Sequence, residues 1–369
     1  MKKRSICPVV LSVVTAVAAA QSAKTLTSSV SPNEGNVAAD SSTPVRTLDF
    51  KLVKPNPGLD LSPVTAAPTQ CTPDGSLFLD ELDVKDLNKH TVVGIHGTDT
   101  RSYSPANISD LHDVFVESFF PTEDVVGFLV RGSKTAPGSP SPGKSPAGIP
   151  WDDYHYYIAI FNRGGSYQKS IELPFRYTVS RFAILPSGEY LVSGYDQANS
   201  TARLAFLDSS GQLIRNLDFP AFRHATEGEY GSREAAKSAR NLVGYVLMTP
   251  YKEDILVWQM SGDSPILDVG AGGTSKEISL QPPAGFVFDS LIPSNDRLVA
   301  LFRTTDTAPG SAMSDVHYSY FDVRPQDGSV SAKLVQAGNA PRSIACESDG
   351  TYLSFKRDSA NKVILVKAD

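Results

Sequence analysis

Residues 190–219 read YLVSGYDQANSTARLAFLDSSGQLIRNLDF, and the order of residue types in this stretch decides the fold. Tyr190 to Tyr195 is apolar, β-branched and aromatic, which suits a half-buried strand. Arg203 to Leu207 is a second such run, and Asp208-Ser209-Ser210-Gly211 turns it into another, Leu213 to Phe219. Immediately upstream, Leu185-Pro186-Ser187-Gly188 is a tight turn that closes a preceding apolar strand. Four strands joined in this way form one antiparallel unit.

The unit recurs along the chain. Turns in the place of Leu185-Pro186-Ser187-Gly188 are Thr72-Pro73-Asp74-Gly75, Phe120-Pro121-Thr122-Glu123-Asp124, Thr249-Pro250-Tyr251-Lys252, Ile292-Pro293-Ser294-Asn295 and Glu347-Ser348-Asp349-Gly350. The strands after these turns are Leu77 to Leu82, Val125 to Arg131, Ile255 to Met260, Leu298 to Arg303 and Tyr352 to Lys356. Units of about 45 to 65 residues with four antiparallel strands describe propeller blades, and six of them predict an all-β, six-bladed β-propeller over residues 45–369. The last unit stops at its third strand, Lys362 to Val366. Arg46-Thr47-Leu48-Asp49-Phe50 nearly repeats Arg215-Asn216-Leu217-Asp218-Phe219, so the N-terminal strand is expected to complete the last blade and remove two open sheet edges.

Residues 1–20 have the parts of a secretory signal: Lys2, Lys3 and Arg4, an apolar run from Val9 to Ala20, and a small-residue end. The run is about a dozen residues, short of the roughly twenty that a spanning helix needs. Residues 21–44, rich in Ser, Thr, Asn, Pro and Ala, read as a disordered leader. A secreted or periplasmic location is therefore expected, with no membrane span. Loss of the three N-terminal cations takes the net charge from -6 to -9, and an acidic surface argues against nucleic acid or anionic membrane as partner.

Cys71 and Cys346 remain after that cleavage and hold the same place in units one and six, which are neighbours in a closed ring. A disulfide is expected if their Cα atoms come within about 7 Å, and two separate buried thiols are the alternative.

Gly138-Ser139-Pro140-Ser141-Pro142-Gly143-Lys144-Ser145 fits the phosphate-loop pattern by letter. Such a loop needs successive N–H donors and a following helix, and Pro140, Pro142, Pro146 and Pro150 deny both. His155 and His317 open the third strands of blades two and five, on opposite sides of the ring, so they read as a structural repeat position shared with Arg203 and Lys362 rather than a metal pair. His90, His96, His112 and His224 show no metal-ligand spacing. Neither a nucleophile elbow, a zinc-protease motif nor an EF-hand loop occurs. Asn107-Ile108-Ser109 and Asn199-Ser200-Thr201 are glycosylation sequons. Arg233 to Arg240, with Ser232 as N-cap, is the helix candidate; flanked by His224, Glu227, Glu229 and Tyr230, it reads as a solvated surface insert.

Asp196-Gln197-Ala198-Asn199-Ser200-Thr201-Ala202-Arg203, followed by Phe206, Asp208 and Gly211, resembles a unit of the NHL-repeat and TolB-like six-bladed propellers, and Asp358-Ser359-Ala360-Asn361-Lys362-Val363 echoes it. The resemblance implies a scaffold shared by binding proteins, lactonases and other enzymes, so it does not decide function. The leading expectation is a non-catalytic binding or scaffold protein without cofactor. A small molecule or a protein engages the face that carries the long inserts Lys134 to Pro150, Ala221 to Asn241 and Thr304 to Ser314. Arg176, Arg181 and Arg342, near the entrances of inner strands, are the expected cationic ligand contacts. The alternative is a divalent-metal-dependent lactonase-like hydrolase, with calcium held at the central tunnel by inner-strand carboxylates such as Glu117 and Asp289.

Overall fold

A computed structural model describes residues 45–54, 69–72, 74–82, 90–97, 99–137, 153–175, 178–196, 201–226, 242–260, 265–294, 297–304, 318–336, 344–357 and 363–369. The signal and leader (1–44), the Gly138–Ser145 loop, Arg176, Arg342, His317, the 233–240 helix candidate, Asn199 and most of the three long inserts lie outside the described residues.

Two short strands come first, β1 (Val45–Leu48) and β2 (Lys51–Leu52). Blade one holds β3 (Thr69–Cys71), β4 (Leu77–Leu82), β5 (His90–His96) and β6 (Asp99–Tyr103). Blade two holds β7 (His112–Pro121), β8 (Val125–Ser133), β9 (His155–Asn162) and β10 (Tyr167–Glu172). Blade three holds β11 (Thr178–Ile184), β12 (Tyr190–Asp196), β13 (Thr201–Leu207) and β14 (Leu213–Leu217). Blade four holds β15 (Val246–Tyr251), β16 (Asp254–Gln259), β17 (Ile266–Val269) and β18 (Ser275–Ile278). Blade five holds β19 (Phe286–Ile292), β20 (Leu298–Thr304), β21 (Tyr318–Val323) and β22 (Val330–Gln336), and blade six β23 (Cys346–Ser348), β24 (Thr351–Arg357) and β25 (Val363–Ala368). Within each blade consecutive strands pair antiparallel, so the chain is an all-β, six-bladed propeller. Among the described residues no helix is long and apolar enough to cross a membrane.

The first strand of every blade is the innermost, with one edge open to the axis. That edge explains why Pro250 stands inside β15, opposite Ile255, where the sequence reading placed a turn. A proline lacks an N–H, and an edge strand does not need it on its open side. The turn itself is Lys252-Glu253, between the paired Tyr251 and Asp254.

The N-terminal segment closes the ring, but not in the expected register. Val45–Leu48 lies parallel to β22 as a fifth strand of blade five, and only Lys51 and Leu52 pair with β25 to complete blade six. The reason is apolar. Leu48 is fully buried in a cluster that joins Ile292, Val299, Tyr320 and Leu334 of blade five to Tyr352 and Ala368 of blade six. A single strand confined to blade six would leave that seam without Leu48.

A helix that the sequence reading missed, α1 (Pro220–Thr226), follows blade three. Proline is pre-set for the first turn of a helix, and Phe219 and Phe222 meet edge to face at 5.0 Å to bury the start.

The seams around the axis are each tied. The Gln70 side-chain amide donates to the Phe119 carbonyl (2.7 Å) between blades one and two, and Phe120 meets Phe182 between two and three. The Ser180 hydroxyl donates to the Val243 carbonyl (3.4 Å) on the way to blade four. Parallel bridges link Tyr251 to Ser294 and Ser294 to Glu347, joining blades four, five and six. The last seam is covalent: Cys71 and Cys346 form a disulfide with Cα atoms 5.6 Å apart, buried and 275 residues apart in sequence.

Loop-closure entropy for a link of this span is about 5 kcal/mol before strain and relaxation. Replacing both cysteines by serine is expected to lower the thermal midpoint by about 5–10 °C. Reduction of the wild type should do the same. Equal midpoints with and without reductant would contradict the assignment.

Candidate functional site

Three innermost strands share an irregularity. In β7 the register steps from Val116↔Val130 to Ser118↔Leu129, leaving Glu117 extra. In β11 it steps from Val179↔Gly194 to Arg181↔Ser193, leaving Ser180 extra, and in β19 from Phe288↔Phe302 to Ser290↔Leu301, leaving Asp289 extra. Glu117 and Ser180 each stand four positions before the tight-turn end of their strands, Pro121 and Ile184, and Asp289 stands three before Ile292. A bulge bends its strand and re-aims the side chains beside it.

The result is a central chamber of about 400 Å³ whose wall includes Glu117, Ser118, Arg181 and Ser290, together with Gln70 and Asp80 of blade one. Phe119, Phe182, Leu247 and Trp258 supply apolar wall. Glu117 is open to the chamber, yet crowding by protein pushes its carboxyl up, and the Arg131 and Arg181 charges pull it partly back. Burial lowers the Arg181 pKa and Glu117 opposes that. Arg181 Nη1 donates to its neighbouring Ser180 carbonyl at 2.8 Å. Arg131 stacks over the Phe115 ring at 5.2 Å. Its Nε and the Ser118 hydroxyl are buried without a hydrogen-bond partner among the described residues. Burial, then Glu117, raises the Tyr156 pKa, which joins this tyrosine to the same polar group.

Of the residues singled out in the sequence, the structure thus brings Glu117 and Arg181 together. Asp289 holds the corresponding bulge but pairs with Arg303 at 3.9 Å and is not on the chamber wall. Arg176 and Arg342 lie outside the described residues. His155 sits opposite Gly132, as Arg203 sits opposite Gly194, and its Nδ1 lies 3.1 Å from Glu172. Arg203 in turn pairs with Asp196 at 3.0 Å, which gives the Asp-to-Arg spacing of blade three a structural reason.

Sequence reasoning missed Ser118, Ser290 and Gln70. A signal existed for the first two. Val116-Glu117-Ser118-Phe119, Val179-Ser180-Arg181-Phe182 and Phe288-Asp289-Ser290-Leu291 each place two adjacent polar residues inside an alternating strand, at one position of three blades.

A second polar cluster, Asp74, Ser76, His96 and Arg163, lines a pocket of about 370 Å³ beside blade one. Ser76 Oγ and His96 Nδ1 share a 2.8 Å hydrogen bond, and Asp74 lies 3.7 Å from that same ring nitrogen. A catalytic triad needs the carboxylate on the nitrogen that the serine does not use, so this is not one. Arg163 donates to both Asp74 and Ser76 at 2.8 Å, and Ser76 is 1% exposed. Burial works to raise the Asp74 pKa, but hydrogen bonds from Thr72 and Ser76 and the Arg163 charge outweigh it and hold the carboxyl below its usual range. The cluster braces the seam between blades one and two.

No protein family and no curated protein matches the chain. Solved structures similar to it include the β-propeller domain of the Trilobed protease from Pyrococcus furiosus, at 10% identity and TM-score 0.40, covering 83% of this chain and 82% of that one. The Neurospora crassa Pan2 WD40 domain is similar at 14% identity and TM-score 0.39, covering 87% and 94%. Virginiamycin B lyase from Staphylococcus aureus is similar at 12% identity and TM-score 0.36, covering 86% and 99%. Likeness this distant says nothing of function, and the fold rests on the strand pairing itself.

Removal of Arg181 takes away a cation that holds the Glu117 pKa down. A carboxyl with a raised folded-state pKa binds its proton more tightly folded than unfolded, so stability falls as pH rises from the unfolded through the folded value. Arg181→Gln is expected to steepen this fall and extend it to higher pH in melts taken from about pH 4 to about pH 8. Glu117→Gln should flatten it. A pH profile of Arg181→Gln that coincides with wild type would contradict the coupling.

Proposed function

We propose that the chain is a secreted, non-catalytic binding protein of the NHL-repeat or TolB-like type, whose central chamber takes a small polar molecule bearing a carboxylate. One observation carries the reading. The bulges put Glu117, Ser118, Arg181 and Ser290 on the lining of a cavity whose size suits a small ligand. Within it, Arg181 has one backbone acceptor and Ser118 has none among the described residues. A guanidinium presents a fork of donors, and an incoming carboxylate matches it in two parallel hydrogen bonds. Glu117 then accepts from a hydroxyl or amine at the other end of the ligand. Arg176 and Arg342 precede the inner strands of blades three and six in sequence, and the reading gives them the same anionic end of the ligand. The disulfide and the N-terminal signal pattern support export.

The metal-dependent alternative finds no support among the described residues, where no three His, Cys, Asp or Glu side chains stand close enough to hold an ion. Stoichiometric calcium in the purified protein would favour it instead.

Binding of α-hydroxy and α-amino carboxylates can be followed by the fluorescence of Trp258 on the chamber wall. Loss of a charge-assisted hydrogen bond in Arg181→Ala should weaken any carboxylate that binds by about tenfold or more, while the protein stays folded. Unchanged affinity, or a ligand mapped outside the chamber, would overturn the reading.

A further inference from the structure

On the tight-turn face, the turns of blades two, three and four surround another pocket of about 290 Å³. Phe120 and Pro250 belong to its wall and to that of the central chamber, so they separate the two spaces. The floor is apolar: Phe120, Ile184, Leu185 and Ile255 are each no more than 5% exposed. The rim is acidic, with Glu123, Asp124 and Glu253 against a single cation, Lys252, while Asp254 borders the pocket with its carboxyl turned to Asp268 and Gly270 of its own blade. None of the four carboxylates enters an ion pair among the described residues. Lys252 is turned over the Tyr251 ring at 5.3 Å, and its φ of 54° lies in the left-handed region that favours glycine.

We propose that this pocket binds a small organic ammonium, a cation joined to an apolar body. Like charges converging on a concave, low-dielectric surface add their fields, so the rim attracts a cation and rejects an anion. The floor removes hydrocarbon from water. The volume, at the lower end of the small-molecule range, fits a compact ligand rather than a length of polypeptide. The charge preference is opposite to that of the central chamber, so the two sites take different ligands and their tests do not depend on each other.

The test uses the whole chain and three probes of one shape: 2-phenylethylammonium, neutral 2-phenylethanol and anionic 3-phenylpropanoate, titrated calorimetrically with amide-shift mapping by NMR. The ammonium should bind saturably and move amides in the turns around Thr122, Pro186 and Glu253. The other two should bind at least about tenfold more weakly. The double variant Asp124→Asn, Glu253→Gln changes exposed turn positions and should lower ammonium affinity about tenfold. Lys252→Gly removes the opposing cation at a backbone conformation that suits glycine, and should tighten binding while leaving the fold intact. Equal affinity for the three probes, no saturable ammonium binding, shifts confined to another surface, or a Lys252→Gly variant that folds but binds no better would overturn the proposal.

Discussion

A ring of sheets stands or falls on the seam where the chain's two ends meet. Every other seam joins blades that are consecutive in sequence, so the chain itself connects them. Blade six ends the chain at β25, so its backbone link to blade one runs only through β2, and without β2 an open seam would expose two sheet edges. Two devices close it. The Cys71–Cys346 disulfide ties the innermost strands covalently. The N-terminal segment works farther out, lying on blade five through Val45–Leu48 and then crossing to blade six at Lys51 and Leu52. Leu48 is the apolar anchor of that crossing, and Arg46 adds a cation over the Tyr352 ring at 5.6 Å.

Closure also shapes the centre. Six inner strands held in a ring leave a space along the axis, and three of them carry a bulge. Where a regular strand would turn alternate side chains away, the bulges at Glu117, Ser180 and Asp289 change which residues meet the axis. The chamber chemistry is therefore a product of backbone irregularity. It pairs a carboxyl pushed up by crowding with an arginine pushed down by burial.

The parts legible in the sequence are those set by local chemistry. Leu77 to Leu82 is a strand with the bounds read from its residue types, and Tyr190, Leu298 and Thr351 open strands within a residue of expectation. The cysteine pairing followed from equal positions in neighbouring repeats. What failed depended on which edge faces which neighbour. Pro250 looked like a turn because proline usually is one, and only its place on an open inner edge admits it to a strand. Arg46 to Phe50 looked like a fourth strand because its letters match Arg215 to Phe219, but burial of Leu48 between two blades decided its partner. Glu117 and Arg181 were found as charged residues on inner strands, yet their meeting at one wall needed the bulges, whose only sequence trace is a doubled polar position.

The central claim is that residues 45–53 lock the ring. Amide hydrogen exchange on a chain beginning at Val45 and on one beginning at Lys54 tests it most directly. The first should protect Val330–Gln336 and Val363–Ala368 as the full chain does, and the second should lose protection in both strands while blades two to four stay closed. Equal protection of β22 and β25 in the two chains would contradict the account.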